Sequence, residues 1–164
     1  MHKSVLLEES IEHLNLKEDS VIVDCTLGYA GHSSKVLKEI KKGFLFAFDQ
    51  DDEAIKSSRN RLDEIGKNYE IIRSNFVHLK KELEARKIYG VDGILYDLGV
   101  SSPQLDEADR GFSFHNDARL DMRMDTTSNL SAYEVVNNYS YNDLVRIFVI
   151  MEKKNLQLQL LEKL

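Results

Sequence analysis

The sequence predicts a doubly wound α/β fold, a mainly parallel sheet with helices on both faces. Between Val21 and Leu98, apolar runs of strand length alternate with segments of helical spacing. The runs FLFAF and GILYDL are apolar almost throughout, which is typical of strands covered on both faces. This alternation favours parallel pairing with right-handed crossovers. A chain of 164 residues has room for one such core.

Each element follows from its own pattern. Val5 to Leu14 has helical spacing and predicts an amphipathic first helix. The predicted strands are Val21 to Thr26, Phe44 to Asp49, Tyr69 to Ile72 and Gly93 to Leu98. The predicted helices between them are Ser33 to Lys42, Asp52 to Ile65 and Phe76 to Lys87. A loop is expected from Gly99 to Asp125, followed by helices that begin near Ser131, with a capping box to Glu134, and near Ser140.

Overall charge, the single cysteine and the lengths of the apolar runs limit the classes of function. The formal net charge is −6, which argues against a broad nucleic-acid surface because phosphate contacts require Lys and Arg. Cys25 lies in the apolar run VIVDCTL and is expected to be a small buried residue, with a catalytic thiol as the alternative. No apolar run has the length of a membrane span, and MHKSVLLEES lacks the apolar stretch of a signal peptide. We expect a cytoplasmic protein with no membrane partner and no bound metal.

Three features meet where a doubly wound sheet binds its ligands, beyond the carboxyl ends of the strands. They are the turn DCTLGYAGHS, Asp49 and the segment that begins at Asp97. Gly28 and Gly31 let the backbone approach a ligand, and Asp49 follows Gly28 by about 20 residues, where nucleotide-binding sheets place a ribose-binding acid. Two simpler alternatives stay open: a tight turn without a ligand, and an Asp49 that only caps the next helix.

The glycine spacing bears on the kind of ligand. The turn lacks the spacing G-x-G-x-x-G that admits a pyrophosphate, so NAD binding is not specified. S-adenosylmethionine has no pyrophosphate and needs only close backbone and an acid for its ribose. The pattern therefore favours S-adenosylmethionine over a dinucleotide and leaves a nucleotide-dependent oxidoreductase as an alternative.

Three longer motifs carry a more specific resemblance. DCTLGYAGHS, DGILYDLGVSSPQLDEADRGFSF and LDMRMD are similar to signature segments of the ribosomal RNA cytosine-N4 methyltransferase family, named RsmH or MraW. The resemblance runs from His2 to Phe148, and Ala30 stands where many members have a second glycine. It implies a Rossmann-like methyltransferase fold, truncated at its C-terminal end, with S-adenosylmethionine as cofactor. The implied partner is ribosomal RNA of the small subunit.

The resemblance also implies a pocket. Its residues in this sequence are Ala30, Gly31, His32, Asp49, Phe76, Asp97 and Gln104. The first three line the methionine portion of the cofactor, Asp49 holds the ribose, and Phe76 packs near the adenine. As alternatives, His32 is only a hydrogen-bonding residue at a helix end, and Phe76 is plain core.

Asp97 is the candidate catalytic residue. The exocyclic amine of cytosine is a poor nucleophile because its lone pair is delocalised into the ring. A carboxylate that accepts one of its N–H bonds localises that lone pair, and holding amine and methyl together supplies further acceleration. The alternative is that Asp97 only binds the cofactor.

The predicted loop combines basic and aromatic residues that could meet phosphate and stack on an extruded base. They are Arg110, Arg119, Arg123, Phe112 and Phe114. Six acids lie between Asp106 and Asp125, so a lid braced by internal Arg–Asp pairs is the alternative.

We expect three regions: a partial cofactor-binding domain over 1–105, a loop and the start of an inserted helical substrate-recognition region over 106–148, and an atypical tail over 149–164. Restoring a single T in one permitted back-translation near Phe148 makes the tail family-like. We hypothesise a one-base deletion there, with a genuine short variant as the alternative. A non-catalytic remnant of the family is accordingly an alternative function.

Overall fold

The computed structural model describes residues 4–151, and the chain divides after Ser102 into two compact units. Each unit is described by itself. The domain limits expected at 105 and 148 remain predictions. Most of the atypical tail, beyond Met151, lies outside the described residues.

The first unit is built on a four-stranded parallel sheet in the order β3-β2-β1-β4. Its strands are β1 (Val21–Asp24), β2 (Phe44–Asp49), β3 (Tyr69–Arg73) and β4 (Gly93–Leu95). Ile22 lies opposite Leu45 of β2, which fixes the register of the two central strands. The predicted doubly wound, Rossmann-like sheet is confirmed.

The helices of the first unit lie close to their predicted places. They are α1 (Leu7–His13), α2 (Gly31–Glu39), α3 (Asp52–Asp63) and α4 (Leu79–Ala85). The helix predicted from Phe76 begins instead with a 3₁₀ turn over Phe76–His78. Asn75 starts this turn, because its side chain accepts a hydrogen bond from the N–H of Val77 at 2.9 Å.

Alternate residues of the strands supply two cores, one on each face of the sheet. Ile22 and Leu45 pack with helical residues such as Val36 on one face. Val23 and Phe48 pack with Leu83 of α4 on the other. The second cluster includes the Cys25 side chain, so its predicted burial is confirmed.

The second unit is mainly loop with short helices. They are α5 (Ser102–Asp106), a 3₁₀ turn (Ala108–Arg110), α6 (Ala132–Asn138) and α7 (Tyr141–Met151). The stretch predicted as a loop therefore contains α5 and the short turn. The predicted capping box between Ser131 and Glu134 is present at the start of α6. Among the residues described in either unit, no helix combines the length and apolar character needed to cross a bilayer.

Candidate functional site

The turn between β1 and α2 uses left-handed backbone at two places. Gly28 has φ +49°, which glycine adopts without a steric penalty. Ala30 has φ +59° just before the first residue of α2. A β-carbon in this region costs roughly 1–2 kcal/mol, so glycine would adopt this conformation with less strain than Ala30 does.

Neighbouring elements hold this turn from two sides. The Gly28 N–H donates to Asp49 Oδ2 at 2.8 Å from the end of β2. From α3, the Ser58 hydroxyl donates to the Gly28 carbonyl at 2.6 Å, and Arg61 donates to the Tyr29 carbonyl at 3.0 Å. The turn is thus fixed in shape by contacts that involve both its N–H and its carbonyl groups.

Asp49 ends β2, and its carboxylate is organised by backbone N–H groups. Besides the bond from the turn, Oδ1 accepts from the N–H of Gln50 at 2.7 Å and from that of Asp51 at 2.9 Å. Burial raises the pKa of the Asp49 carboxyl, although these hydrogen bonds oppose the rise. The cap of α3 is the side chain of Asp51, which accepts from the N–H of Glu53 at 3.0 Å. The alternative that Asp49 only caps this helix is therefore wrong.

A second carboxylate, Asp24, lies at the end of β1 and is not among the predicted site residues. It is fully buried, and Oδ2 accepts from the Ser33 hydroxyl at 2.7 Å. Oδ1 accepts from the N–H of Thr26 at 3.0 Å. Burial raises the pKa of the Asp24 carboxyl, while Ser33 and nearby His32 lower it. The signal in the sequence was an acid that closes an otherwise apolar strand.

His32 and Asp97 approach one another at the edge of the sheet formed by the carboxyl ends of the strands. His32 Nδ1 lies 3.6 Å from Asp97 Oδ2, and the two side chains are 6% and 44% exposed. The other ring nitrogen of His32, Nε2, lies 3.1 Å from the carbonyl oxygen of Val5. The Asp97 N–H donates to Thr26 Oγ1 at 2.8 Å, which joins the segment after β4 to the segment after β1.

Phe76 lies beside the region that follows β2. Its ring meets that of Tyr96 edge-on, with centroids 5.5 Å apart, and it packs against the second core cluster. The preceding Asn75 donates to Gln50 Oε1 at 3.1 Å, so this segment is tied to the residue after Asp49. Phe76 is only partly buried, and its contact with adenine stays a prediction.

Six of the seven predicted pocket residues thus belong to the first unit. Ala30, Gly31 and His32 lie at the start of α2, next to the turn that Asp49 holds. Gln104 belongs to α5 and to the second unit, where it is buried and donates to Met124 Sδ at 3.3 Å. Its role in the pocket remains a prediction.

The arginines of the predicted loop are engaged within the second unit. Arg123 binds both oxygens of Asp121 at 2.7 and 2.8 Å, and this contact lowers the pKa of the Asp121 carboxyl. Arg119 donates to Glu134 at 2.8 Å, and Arg110 donates to the Arg123 carbonyl at 3.2 Å. These contacts favour the braced loop over a set of arginines committed to phosphate. Within residues 4–151, no group of three or more His, Cys, Asp or Glu side chains is placed to hold a metal ion.

A glycine turn after the first strand and an acid after the second, on a parallel sheet of this order, are typical of a Rossmann-like fold. The fold is shared with a crystal structure from Clostridium thermocellum, provisionally named an rRNA methylase. Its TM-score is 0.50 at 21% identity, over 61% of this chain and 53% of that chain. The chain belongs to the MraW methylase family, whose family model matches residues 1–161.

Curated relatives agree with this assignment. A protein of Exiguobacterium sibiricum is 57% identical over 163 residues, which cover 99% of this chain and 52% of the relative. One of Clostridioides difficile is 53% identical over 147 residues, or 89% of this chain and 47% of the relative. Both are named ribosomal RNA small subunit methyltransferase H. The chain therefore spans about half the length of the curated relatives that it matches.

Proposed function

We propose that this chain carries the cofactor-binding part of an S-adenosylmethionine-dependent methyltransferase that modifies N4 of a cytidine in small-subunit ribosomal RNA. Family membership and the names of the relatives support the reaction class and the ribosomal RNA substrate. The observation that carries the proposal is that three features lie together at one edge of the sheet. A preorganised glycine turn, the Asp49 carboxylate and the His32–Asp97 pair all follow carboxyl ends of adjacent parallel strands.

The donor groups at this edge fit the parts of S-adenosylmethionine. Asp49 Oδ2 accepts one N–H bond in the structure, and a carboxylate oxygen has capacity for a second donor such as a ribose hydroxyl. The first N–H groups of α2, from Gly31 onward, have no acceptor within the helix and suit the methionine carboxylate. The bound cofactor would supply a methyl group on a positively charged sulfur.

The protein's own part in the reaction is positional and electrostatic. Asp97, next to β4, would accept an N–H bond of the cytosine amine and so localise its lone pair. Phe76 and its neighbours would pack against the adenine and exclude water. Asp97→Asn should then reduce turnover strongly in a full-length counterpart, because an amide oxygen is a much weaker acceptor for the reacting amine.

Calorimetry with three ligands tests the proposed cofactor. S-adenosylmethionine and its demethylated product should bind the chain, and NAD should bind more weakly because the turn is not spaced for a pyrophosphate. Tighter binding of NAD would overturn the proposal in favour of an oxidoreductase. A labelled-methyl assay on small ribosomal subunits with a full-length counterpart tests the substrate, and a product other than N4-methylcytidine would contradict it.

A further inference from the structure

The tautomer of His32 follows from one contact. Its Nε2 lies 3.1 Å from the carbonyl oxygen of Val5. A carbonyl oxygen can only accept, so the hydrogen of this bond is carried by Nε2. In a neutral imidazole the other nitrogen, Nδ1, is then an acceptor. The Val5 carbonyl thus determines that Nε2 carries the hydrogen and that Nδ1 is the nitrogen able to accept a proton.

That acceptor nitrogen faces another acceptor. Nδ1 of His32 and Oδ2 of Asp97 are 3.6 Å apart, which is too long for a direct hydrogen bond. Both atoms can instead bind one donor nitrogen placed beside them, in the manner of a three-centre hydrogen bond. The pair is therefore suited to a ligand that brings an N–H group.

We propose that His32 and Asp97 form an acceptor pair for the amine that is methylated, and that His32 Nδ1 receives the proton which this amine loses. The inference rests on the proposed function. The amine nitrogen forms a bond to the methyl carbon while the bond between that carbon and sulfur breaks. The nitrogen then carries one hydrogen too many. That proton moves to Nδ1, and the imidazole becomes an imidazolium.

The surroundings of His32 are arranged for such a step. Val5 keeps Nε2–H in place, so the arriving proton has one destination on the ring. The Asp97 carboxylate lies 3.6 Å from the imidazole, and the buried Asp24 carboxyl interacts with it electrostatically, so both would attract its positive charge. Asp97 is 44% exposed, whereas the His32 side chain is 6% exposed. The proton can therefore leave to water on the Asp97 side.

Two substitutions separate this role from a purely structural one. In His32→Gln the side-chain amide nitrogen can replace Nε2 and keep the bond to the Val5 carbonyl, but the acceptor Nδ1 is gone. In His32→Asn the shorter amide stays near the position of Nδ1 and cannot reach Val5. If His32 only ties Val5 to α2, the Gln variant should behave like the wild type and the Asn variant should not.

The test compares two cofactor analogues that differ at the reacting position. Sinefungin carries an amine where S-adenosylmethionine carries its transferred methyl, and S-adenosylhomocysteine carries neither group. Calorimetry on the chain should show sinefungin binding about tenfold more tightly, because one charge-assisted hydrogen bond is worth about a factor of ten. The ratio of the two affinities should fall to about one in His32→Gln and in Asp97→Asn. The exposed-histidine control His13→Gln should keep the wild-type ratio.

Each other outcome counts against the inference. A preference for sinefungin that survives in His32→Gln, or equal weakening of both analogues, would leave His32 as a structural residue or a partner of the cofactor's α-ammonium. Nitrogen NMR that finds the Nδ1–H tautomer in the free chain would also contradict it. Binding of S-adenosylhomocysteine without any preference for sinefungin would remove only this inference. Failure of both analogues to bind the wild type would remove the proposed function as well.

Discussion

The side chain of Ser4 lies in the space that a β-carbon on Gly31 would enter. Gly31 is the first residue of α2, so the segment before α1, residues 4–6, packs directly on the start of this helix. Lys35 and Glu8 form an ion pair at 2.8 Å a turn further along. The closeness of segment and helix also brings the Val5 carbonyl to His32.

Gly31→Ala should therefore displace residues 4–6 and destabilise the fold by about 1–3 kcal/mol through overpacking. Ser4→Gly removes the obstructing side chain and should recover most of that loss in the double variant. Urea denaturation of the four proteins of this cycle gives the coupling free energy. Additive effects would show that the two residues do not compete for space.

Asp49→Ala should weaken binding of S-adenosylmethionine about tenfold or more, because the ribose hydroxyls lose a charged acceptor worth roughly 1.5–3 kcal/mol. The matched control is Asp51→Ala. It removes the cap of α3, at a cost of about 0.5–2 kcal/mol in stability, and leaves the Asp49 carboxylate in place. Calorimetry on variants shown to remain folded should find weaker binding of S-adenosylmethionine in Asp49→Ala and unchanged binding in Asp51→Ala. An unchanged dissociation constant in Asp49→Ala would remove this residue from the site.

Asp24→Asn should gain stability relative to the wild type as pH rises. Burial raises the pKa of this carboxyl, so its contribution to stability is fully present below the unfolded pKa of about 3.9 and is lost as pH rises through the folded pKa. An amide escapes that loss and can still bond to Ser33 and Thr26. Urea denaturation across the acid to neutral range measures the difference, and a difference independent of pH would contradict the expectation.

Asp63→Asn is the control for Asp24→Asn, because its stability relative to the wild type should change with pH in the opposite direction. Hydrogen bonds from Lys67 and Tyr69 lower the pKa of this exposed carboxyl. Its stabilising contribution is therefore present above the unfolded pKa and is lost as pH falls through the folded pKa. The variant should be less stable than the wild type near neutral pH and equally stable in acid.

The outer edge of β4 should make the 164-residue chain prone to aggregate when expressed alone. Within the described sheet β4 pairs only with β1, and Ile94 is 41% exposed. We also expect no detectable methylation of small ribosomal subunits by this chain alone. Ile94→Lys should reduce aggregation, and Ile94→Val should not, as measured by light scattering. Equal light scattering by the wild type and Ile94→Lys, or turnover by the purified wild-type chain, would contradict this prediction.

The bounds of β2 match the prediction, β3 runs one residue further than predicted, and β1 ends at Asp24, two residues before the predicted Thr26. Val21–Asp24 and Phe44–Asp49 are mostly apolar and mostly buried, whereas β3 contains two charged residues and has only Ile72 buried. β4 ends at Leu95, although the apolar run continues to Leu98. An apolar residue in the sequence indicates a preference for burial, but the length of backbone pairing with β1 determines where β4 ends.

The candidate site was predictable where it depends on spacing and not where it depends on packing between distant segments. Asp49 and the glycine turn lie together because loops after parallel strands share one edge of the sheet. The sequence contains no signal that Ser58 of α3 would brace Gly28, or that Val5 would bond to His32. Both contacts join residues of separate elements, and their partners are set by how the helices lie on the sheet.

The chain has a single cysteine, and Cys25 is buried immediately after β1. Burial raises the pKa of its thiol to about 11, so almost none of it is thiolate near neutral pH and alkylating reagents should leave the folded protein untouched. The Cys25 N–H donates to the Leu95 carbonyl at 2.9 Å, between Asp24 and the Thr26 that holds Asp97. The Cys25 side chain packs in the second core cluster with Phe48 and Leu83 of α4, so a fluctuation that exposes the sulfur must open this cluster. The rate of thiol labelling consequently reports how often the core between the sheet and α4 opens, next to the Thr26 that holds Asp97.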